Sequence, residues 1–410
     1  MPMLRLSRVA RPLVAAALLP LLVVASGTPA ADAEPTQLPG VQMVEAWPDV
    51  EFKEPVDVVS PKDGSNLLFV GEQKGTIQVL PKYRGVGPVP KKTQFLDIRS
   101  KVYARSQGGL LALAFHPKYK SNGRFYVSYT AKNPNPGPNN HGFMLVISEF
   151  QGRGMKANAG SERVLMRITK GNAQHQAGGI RFGPDGMLYI GVGDAKEPDA
   201  SQSPRSYYGK ILRIDPLART GSLPYGIPQG NPWPSVKGVH PEIWGFGFRN
   251  PWRFSWDMQG RMLTVEPGSS GPESREWVMQ VKYGSNHGWP FMEGTRRLKS
   301  PSKPKQFVAP TFEYVRGSGN STAGVGGAVY RGDRIKSLRG KYIFGDYMRG
   351  EVYCIDLTTQ GSGNNARIVG RNFRKVGECP ELAGVSEDAQ GELYFCSNDL
   401  GLVFTLAPDA

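Results

Sequence analysis

The 410-residue sequence contains 51 glycines and 34 prolines but only three cysteines, and its formal net charge is +15. Glycine and proline are spread along the whole chain, which argues for many turns between short strands and against a disordered tract. The excess positive charge is dispersed apart from a loose cluster at Arg296 to Lys305; with no basic stripe in a known module, it describes a solvated basic surface and argues against a nucleic-acid reader. No C-x-x-C-H haem attachment motif and no Cys/His zinc spacing is present.

In chain order, the first feature is a leader. Arg5, Arg8 and Arg11 precede an apolar run from Leu13 to Ala25, and small residues follow up to Ala31-Asp32-Ala33. This is the layout of a cleaved signal peptide over residues 1–33. The apolar run is shorter than the roughly 20 residues needed to span a bilayer. An exported protein without a membrane span is expected, the alternative being an uncleaved N-terminal anchor. Roughly 375 residues then remain, enough for one large all-β domain over 34–410.

Next comes a weak repeat, a glycine turn followed by a strand rich in Leu, Tyr, Phe and Val. It occurs at Gly64–Val70, Gly123–Val127, Gly186–Ile190, Gly260–Val265, Gly340–Phe344 and Gly391–Phe395. A second alternating strand follows several copies, at Thr76–Leu80, Ile211–Ile214, Val352–Ile355 and Leu402–Leu406. Period-two alternation gives each small sheet two faces to bury, and a radial stack of such sheets buries both. Six copies predict an all-β, six-bladed β-propeller; a pair of β-sandwiches is the competing arrangement. Long insertions at Lys132 to Gly142, Ala195 to Tyr208 and Arg297 to Gln306 are expected on the propeller faces, where sites form. Cys354, Cys379 and Cys396 crowd the last 60 residues, and in an exported chain two of them could pair.

Four segments carry chemistry. In His175–Asp194 a histidine precedes a Gly-Gly pair, a tight turn and a strand ending in Gly-Asp. The two side chains therefore sit at the open ends of one hairpin, and a carboxylate beside a histidine fixes its tautomer and stabilises the imidazolium of a general base. In Glu242–Asp257 the pair Arg249–Asn250 interrupts an aromatic-rich run, and a guanidinium placed there must be paired or meet a ligand. In Gln107–His116 an apolar strand leads to His116, which reads as a turn or core residue. The fourth runs from Gly271 and Pro272 through Glu276 to Gly288-Trp289-Pro290. Backbone carbonyls of such a Gly/Pro loop are able to ligate a hard cation such as calcium.

Taken in order, these motifs resemble the soluble glucose/aldose sugar dehydrogenases, quinoproteins that use pyrroloquinoline quinone (PQQ) and calcium on a six-bladed propeller. The likeness runs from about Val44 to Leu406, and it extends to the hedgehog-interacting-protein-like propellers, toward which Arg249–Arg253 and Glu387–Tyr394 lean. It implies an exported oxidoreductase acting on an aldose or related sugar, with electrons passed to an external acceptor. It further implies His175 as the base that takes the proton from the anomeric hydroxyl, Gln107 positioning the sugar, and Asp194 beside the base. Arg249 and Asn250 would lie at the cofactor, and the carbonyls of Gly271 and Pro272 at calcium. The late arginines of such enzymes are missing from Cys379–Val385, which leaves Arg349 to substitute for them. Two further functions stay open: a non-enzymatic extracellular binding propeller, and a calcium-dependent lactonase built on carboxylates such as Asp194 and Glu266.

Overall fold

The structure is a computed structural model that describes residues 34–135, 142–303, 305–315, 321–363 and 366–409, with the backbone of Ala30–Ala31. The expected leader lies otherwise outside the described residues. Among the described residues the strands form six antiparallel sheets of four principal strands each, arranged as a six-bladed β-propeller, and a separate two-stranded ribbon of Met292–Glu293 and Arg296–Arg297. Blade 1 spans Pro55–Asp97, blade 2 Leu110–Lys170, blade 3 Ala177–Phe246, blade 4 Phe254–Val315 and blade 5 Gly324–Glu378. Blade 6 takes three strands from Leu382–Ala407 and its fourth from Gln42–Glu45, which pairs antiparallel with Leu402–Ala407. One sheet thus joins the two ends of the described chain and closes the ring.

Each of the six repeat segments forms the second strand of a blade, and its glycine makes the turn into that strand with φ between 66° and 88°. Blades bury their faces against one another. Phe69 and Phe95 of blade 1 pack on Phe115, Phe125 and Phe150 of blade 2, with ring centroids 4.6 Å apart for Phe69–Phe115 and 5.0 Å for Phe95–Phe125. Cys354, Cys379 and Cys396 are all buried and unpaired in these sheets. Among the described residues no helix is long and apolar enough to cross a membrane.

The innermost strands surround a channel that is shut halfway by buried charge. Asp57 of blade 1 accepts from Leu113 N of blade 2 at 3.1 Å, Arg181 Nη2 of blade 3 at 2.6 Å and Ser386 Oγ of blade 6 at 2.9 Å. Arg253 of blade 4 donates through Nη2 to the carbonyls of Val56 at 2.8 Å and Leu111 at 2.7 Å. Burial alone would raise Asp57, but the two guanidiniums outweigh it and hold its carboxyl below the usual range. Removing Asp57 leaves the buried Arg253 and the partly buried Arg181 without their shared anion. Asp57→Ala is therefore expected to cost about 3–5 kcal/mol. Chemical denaturation of the mature chain measures this, and an unchanged midpoint would show that the knot contributes nothing to stability.

Candidate functional site

The hairpin of blade 3 places the base as the sequence predicts. Ala177 pairs with Val192 at its open end, so the residues just beyond, His175 and Asp194, face one another. His175 Nδ1 lies 2.6 Å from Asp194 Oδ1. The approach is tight because position 193 is glycine; a Cβ there would meet the His175 carbonyl oxygen at 2.1 Å. Backbone strain collects here as well. His175, Ala177, Ala195 and Lys196 all have φ between 50° and 64°, and such left-handed non-glycine residues cost about 1–3 kcal/mol each.

Every lone pair of Asp194 that matters is assigned. Its Oδ1 also accepts Lys196 N at 2.9 Å, and Oδ2 accepts the Trp289 indole N–H at 2.9 Å. Burial would raise this carboxyl, yet the hydrogen bond and charge of His175, the Lys196 amide and Arg249 bring it below the usual carboxylate value. Burial lowers His175 below the ordinary imidazole value, and Arg249 and Lys196 lower it further against the pull of Asp194. The pair at neutral pH is thus a neutral imidazole on an ionised carboxylate, the state a general base requires. His175 Nε2 makes no hydrogen bond within the described protein and is not sealed from solvent. Behind the pair, the fully buried Lys170 donates to Gly193 O at 2.7 Å, and burial pulls its amine down to about 7.

Beside the pair opens a cavity of about 420 Å³ at one mouth of the channel. Gln107 and Asn250 line it, and Gln107 Oε1 accepts His175 N at 2.6 Å, linking cavity to base. Trp252 also lines it, its indole anchored by a 2.8 Å bond from Nε1 to Ala383 O of blade 6. The far wall consists of Tyr347, Leu382, Ala383 and Asn398. None of the residues lining this cavity is charged. Arg249 stands near it with its guanidinium 5.5 Å from the Trp289 ring and its Nε buried without a partner. Asn250 Oδ1 and Glu266 Oε1 are likewise buried without partners.

Some expected site residues gather here and others do not. His175, Asp194, Gln107, Arg249 and Asn250 are neighbours, His175 bonded to Gln107 and Asp194 and Asp194 N to the Arg249 carbonyl, and of these five Gln107 and Asn250 line the cavity. Arg349 does not line the cavity; its Nη1 binds Glu34 Oε2 at 3.1 Å and lies 3.8 Å from Glu351. The backbone turn explains this, because the amides of Met348 and Arg349 both cap Asp346 and carry the Arg349 side chain toward the acidic residues. Gly271 and Pro272 are also absent from the wall. Pro272 is exposed, and the Gly271 carbonyl accepts Ser274 N at 3.1 Å within its own turn; Pro267, five residues before Pro272, is the loop residue that lines the cavity. His116 is buried in a turn, its Nδ1 accepting Lys118 N at 2.9 Å. Among the described residues no group of three or more His, Cys, Asp or Glu is placed to hold a metal ion. The lactonase reading asked for carboxylates and asparagines converging at the central channel. Sequence reasoning did not single out Trp289, Trp252 or Lys170, although the Gly-Trp-Pro motif held the first of them.

A six-bladed propeller with a His–Asp pair at one channel mouth defines the class, and comparison with known proteins gives the family. Residues 52–401 match the glucose/sorbosone dehydrogenase family model, and the chain belongs to that family. It is 28% identical over 370 residues to the HIPL1 protein of Arabidopsis thaliana, covering 75% of this chain and 53% of that protein. It is 27% identical over 378 residues to human hedgehog-interacting protein, covering 86% and 50%. The chain thus spans about half the length of these curated relatives. It is also 29% identical over 210 residues to quinoprotein glucose dehydrogenase B of Acinetobacter calcoaceticus, covering 47% and 41%. The fold matches PQQ-bound aldose sugar dehydrogenase of Streptomyces coelicolor with a TM-score of 0.66 at 21% identity, over 92% of this chain and 100% of that one. It matches the apo aldose sugar dehydrogenase of Escherichia coli equally well, at 0.66 and 18% identity over 90% and 99%.

If Asp194 supports the imidazolium, Asp194→Asn should lower the His175 titration midpoint by about one pH unit or more. Proton NMR of the histidine ring reads this directly. A midpoint that stays put would mean that the two side chains are not paired in solution.

Proposed function

We propose that the chain is an exported oxidoreductase that acts on a hydroxyl of an aldose or related sugar, with His175 as the general base. The observation that supports it best is the neutral His175 held on ionised Asp194 beside a sugar-sized cavity. The leader supports export. Because His175 Nδ1 is engaged by the carboxylate, Nε2 is the nitrogen that takes the proton from the anomeric hydroxyl. Gln107 spends its oxygen on the His175 amide, which leaves its N–H2 group to hold a sugar oxygen.

The residues fit the reacting end of a quinone. The partnerless Arg249 Nε and Asn250 Oδ1 are buried polar atoms that call for a polar ligand, and Arg249 supplies a cation for a carboxylate. When bound with calcium, PQQ supplies the hydride acceptor and returns electrons to an external acceptor. A calcium ion at this mouth would be held by backbone carbonyls beside Pro267, the loop residue that lines the cavity. A second reading is favoured by one specific observation, the uncharged wall of Tyr347, Leu382, Ala383 and Asn398. One guanidinium facing three carboxylates is a weak grip, and a binding propeller without turnover needs no stronger one.

Reconstitution separates the two. Adding PQQ and calcium to the mature chain should give quinone uptake by absorption and aldose-dependent dye reduction. His175→Ala should keep the uptake and lose about 100-fold or more of the reduction. Ala383→Arg puts a cation on the bare wall and should tighten uptake about tenfold or more, since a charge-assisted bond contributes about 1.5–3 kcal/mol. Uptake by Ala383→Arg but not by the parent would sink the dehydrogenase reading and leave the binding propeller.

A further inference from the structure

We infer that a cavity between the outer strand of blade 3 and the 284–308 segment of blade 4 is a binding site for a flat organic carboxylate, separate from the channel mouth. Its volume is about 650 Å³, and it shares no lining residue with the cavity beside His175. Two long insertions meet on it. Gln202 and Pro204 come from the Ala195–Tyr208 insertion, and Lys305 and Gln306 from the Arg297–Gln306 insertion, where the basic cluster of the sequence ends. Such loops on a rigid scaffold are where sites form. One wall is fixed by side-chain amides: Gln202 Nε2 donates to Asn286 Oδ1 and Asn286 Nδ2 to Gln202 Oε1, each at 2.9 Å. Gln202 Nε2 also donates to the Trp289 carbonyl at 2.7 Å, so this wall is tied to the residue whose indole holds Asp194.

The walls offer rings at partly buried positions. Trp233 and Phe246 of blade 3 meet edge to face with centroids 5.9 Å apart. Phe307 lines the cavity from the blade 4 segment, stacked on Phe291 at 6.1 Å. Mostly apolar walls with a few polar groups, around a space of this size, are the usual form of a small-molecule site. The charge of the lining is of one sign. Lys210 and Lys305 line the cavity, and no acidic residue does. The fully buried Lys210 donates to the carbonyls of Ala200 at 3.1 Å, Ser201 at 2.9 Å and Tyr208 at 2.7 Å, and burial pulls its amine down to about 7. Lys305 Nζ donates to Gln202 Oε1 at 2.9 Å and lies 5.2 Å from the Phe291 ring centroid. A buried cation without an anion is costly. A carboxylate in the cavity supplies that anion and takes a proton donor from Lys305, while the rings cover its apolar body. A bare phosphate would leave the rings uncovered, and a neutral sugar would leave the lysines without a counter-charge.

The test involves no quinone and no turnover, so it stands or falls apart from the proposed function. Calorimetric titration of the mature chain with 2-naphthoate should show one site. 2-Naphthylmethanol, the same ring without the charge, should bind about tenfold or more weakly, because it loses the charge-assisted bonds. Lys305→Ala should weaken 2-naphthoate by a similar factor, Phe307→Ala should weaken both probes, and Lys210→Met should weaken 2-naphthoate alone. Ala383→Arg adds a cation to the channel mouth and should leave the affinity unchanged; tighter binding by that variant would place the probe at the mouth and overturn the assignment. Absence of 2-naphthoate binding, or equal affinity for the two probes, would overturn it as well. Should Lys210→Met fail to fold, Lys305→Ala and Phe307→Ala carry the test, since both change side chains of a surface loop, and an affinity that neither alters rejects the site.

Discussion

The structure depends on the ionic knot of Asp57, Arg181 and Arg253. Six small sheets around an axis leave a hole that apolar side chains from the inner strands do not fill. Here it is shut by charge, and the bonds of Asp57 and Arg253 reach blades 1, 2, 3, 4 and 6. Blade 5 takes part by making room. Gly326 has a φ of 109°, and a Cβ there would meet the Arg253 carbonyl oxygen at 2.5 Å and its Cβ at 2.6 Å. Buried ion clusters add little net stability over a well-packed apolar core, but they tolerate few alternative arrangements. The knot divides the channel into two mouths, and Arg249, Asn250 and Trp252 sit just before Arg253 in sequence. Anchoring Arg253 therefore also anchors the segment that brings the guanidinium, the amide and the indole to the site.

The site itself stores strain that the surrounding sheets must hold. His175 and Ala177 lie in the left-handed region on one side of the hairpin, Ala195 and Lys196 on the other. Between them Gly193 presses on the His175 carbonyl, and Lys170 pins its carbonyl from behind. The same crowding excludes water, and burial pulls the His175 imidazole and the Lys170 amine down and pushes the Glu266 carboxyl up. Asp194 keeps its charge against burial, because His175, Lys196 and Trp289 each give it a donor. Base strength here is set by one buried, well hydrogen-bonded anion in a region where burial disfavours charge on its neighbours.

Local turn chemistry was the most legible part of the sequence. Six glycines before six alternating strands are the six turns into the second strands, and a hairpin with His at one end and Asp at the other gave the dyad its geometry. What the sequence hid was long range. The closing strand Gln42–Glu45 carries no signal that it belongs with the last repeat, since its partner is over 350 residues away. Gly271 and Pro272 looked like cation ligands by type, yet the turn spends the Gly271 carbonyl on Ser274 and brings Pro267 to the wall instead. Arg349 had the right charge near the right position, but Glu34 and Glu351 hold it away from the cavity. Trp289 reaches Asp194 from a blade-4 loop 95 residues away, and no local pattern announces such a contact.

The two halves of the cavity are built from different blades, and this bears on how the family varies. His175 and Asp194 come from blade 3, Arg249, Asn250 and Glu266 from the crossing into blade 4, and Gln107 from the approach to blade 2. The far wall belongs to blades 5 and 6, through Tyr347, Leu382, Ala383 and Asn398. Contacts within the first group are direct hydrogen bonds, so losing one member disturbs the rest. The far wall touches that group mainly through Trp252 and the Ala383 carbonyl, a backbone contact that any side chain at 383 preserves. Charge can therefore be removed from the far wall without disturbing the base. A fold with this division lets the histidine–carboxylate pair and the wall that faces it change independently of one another.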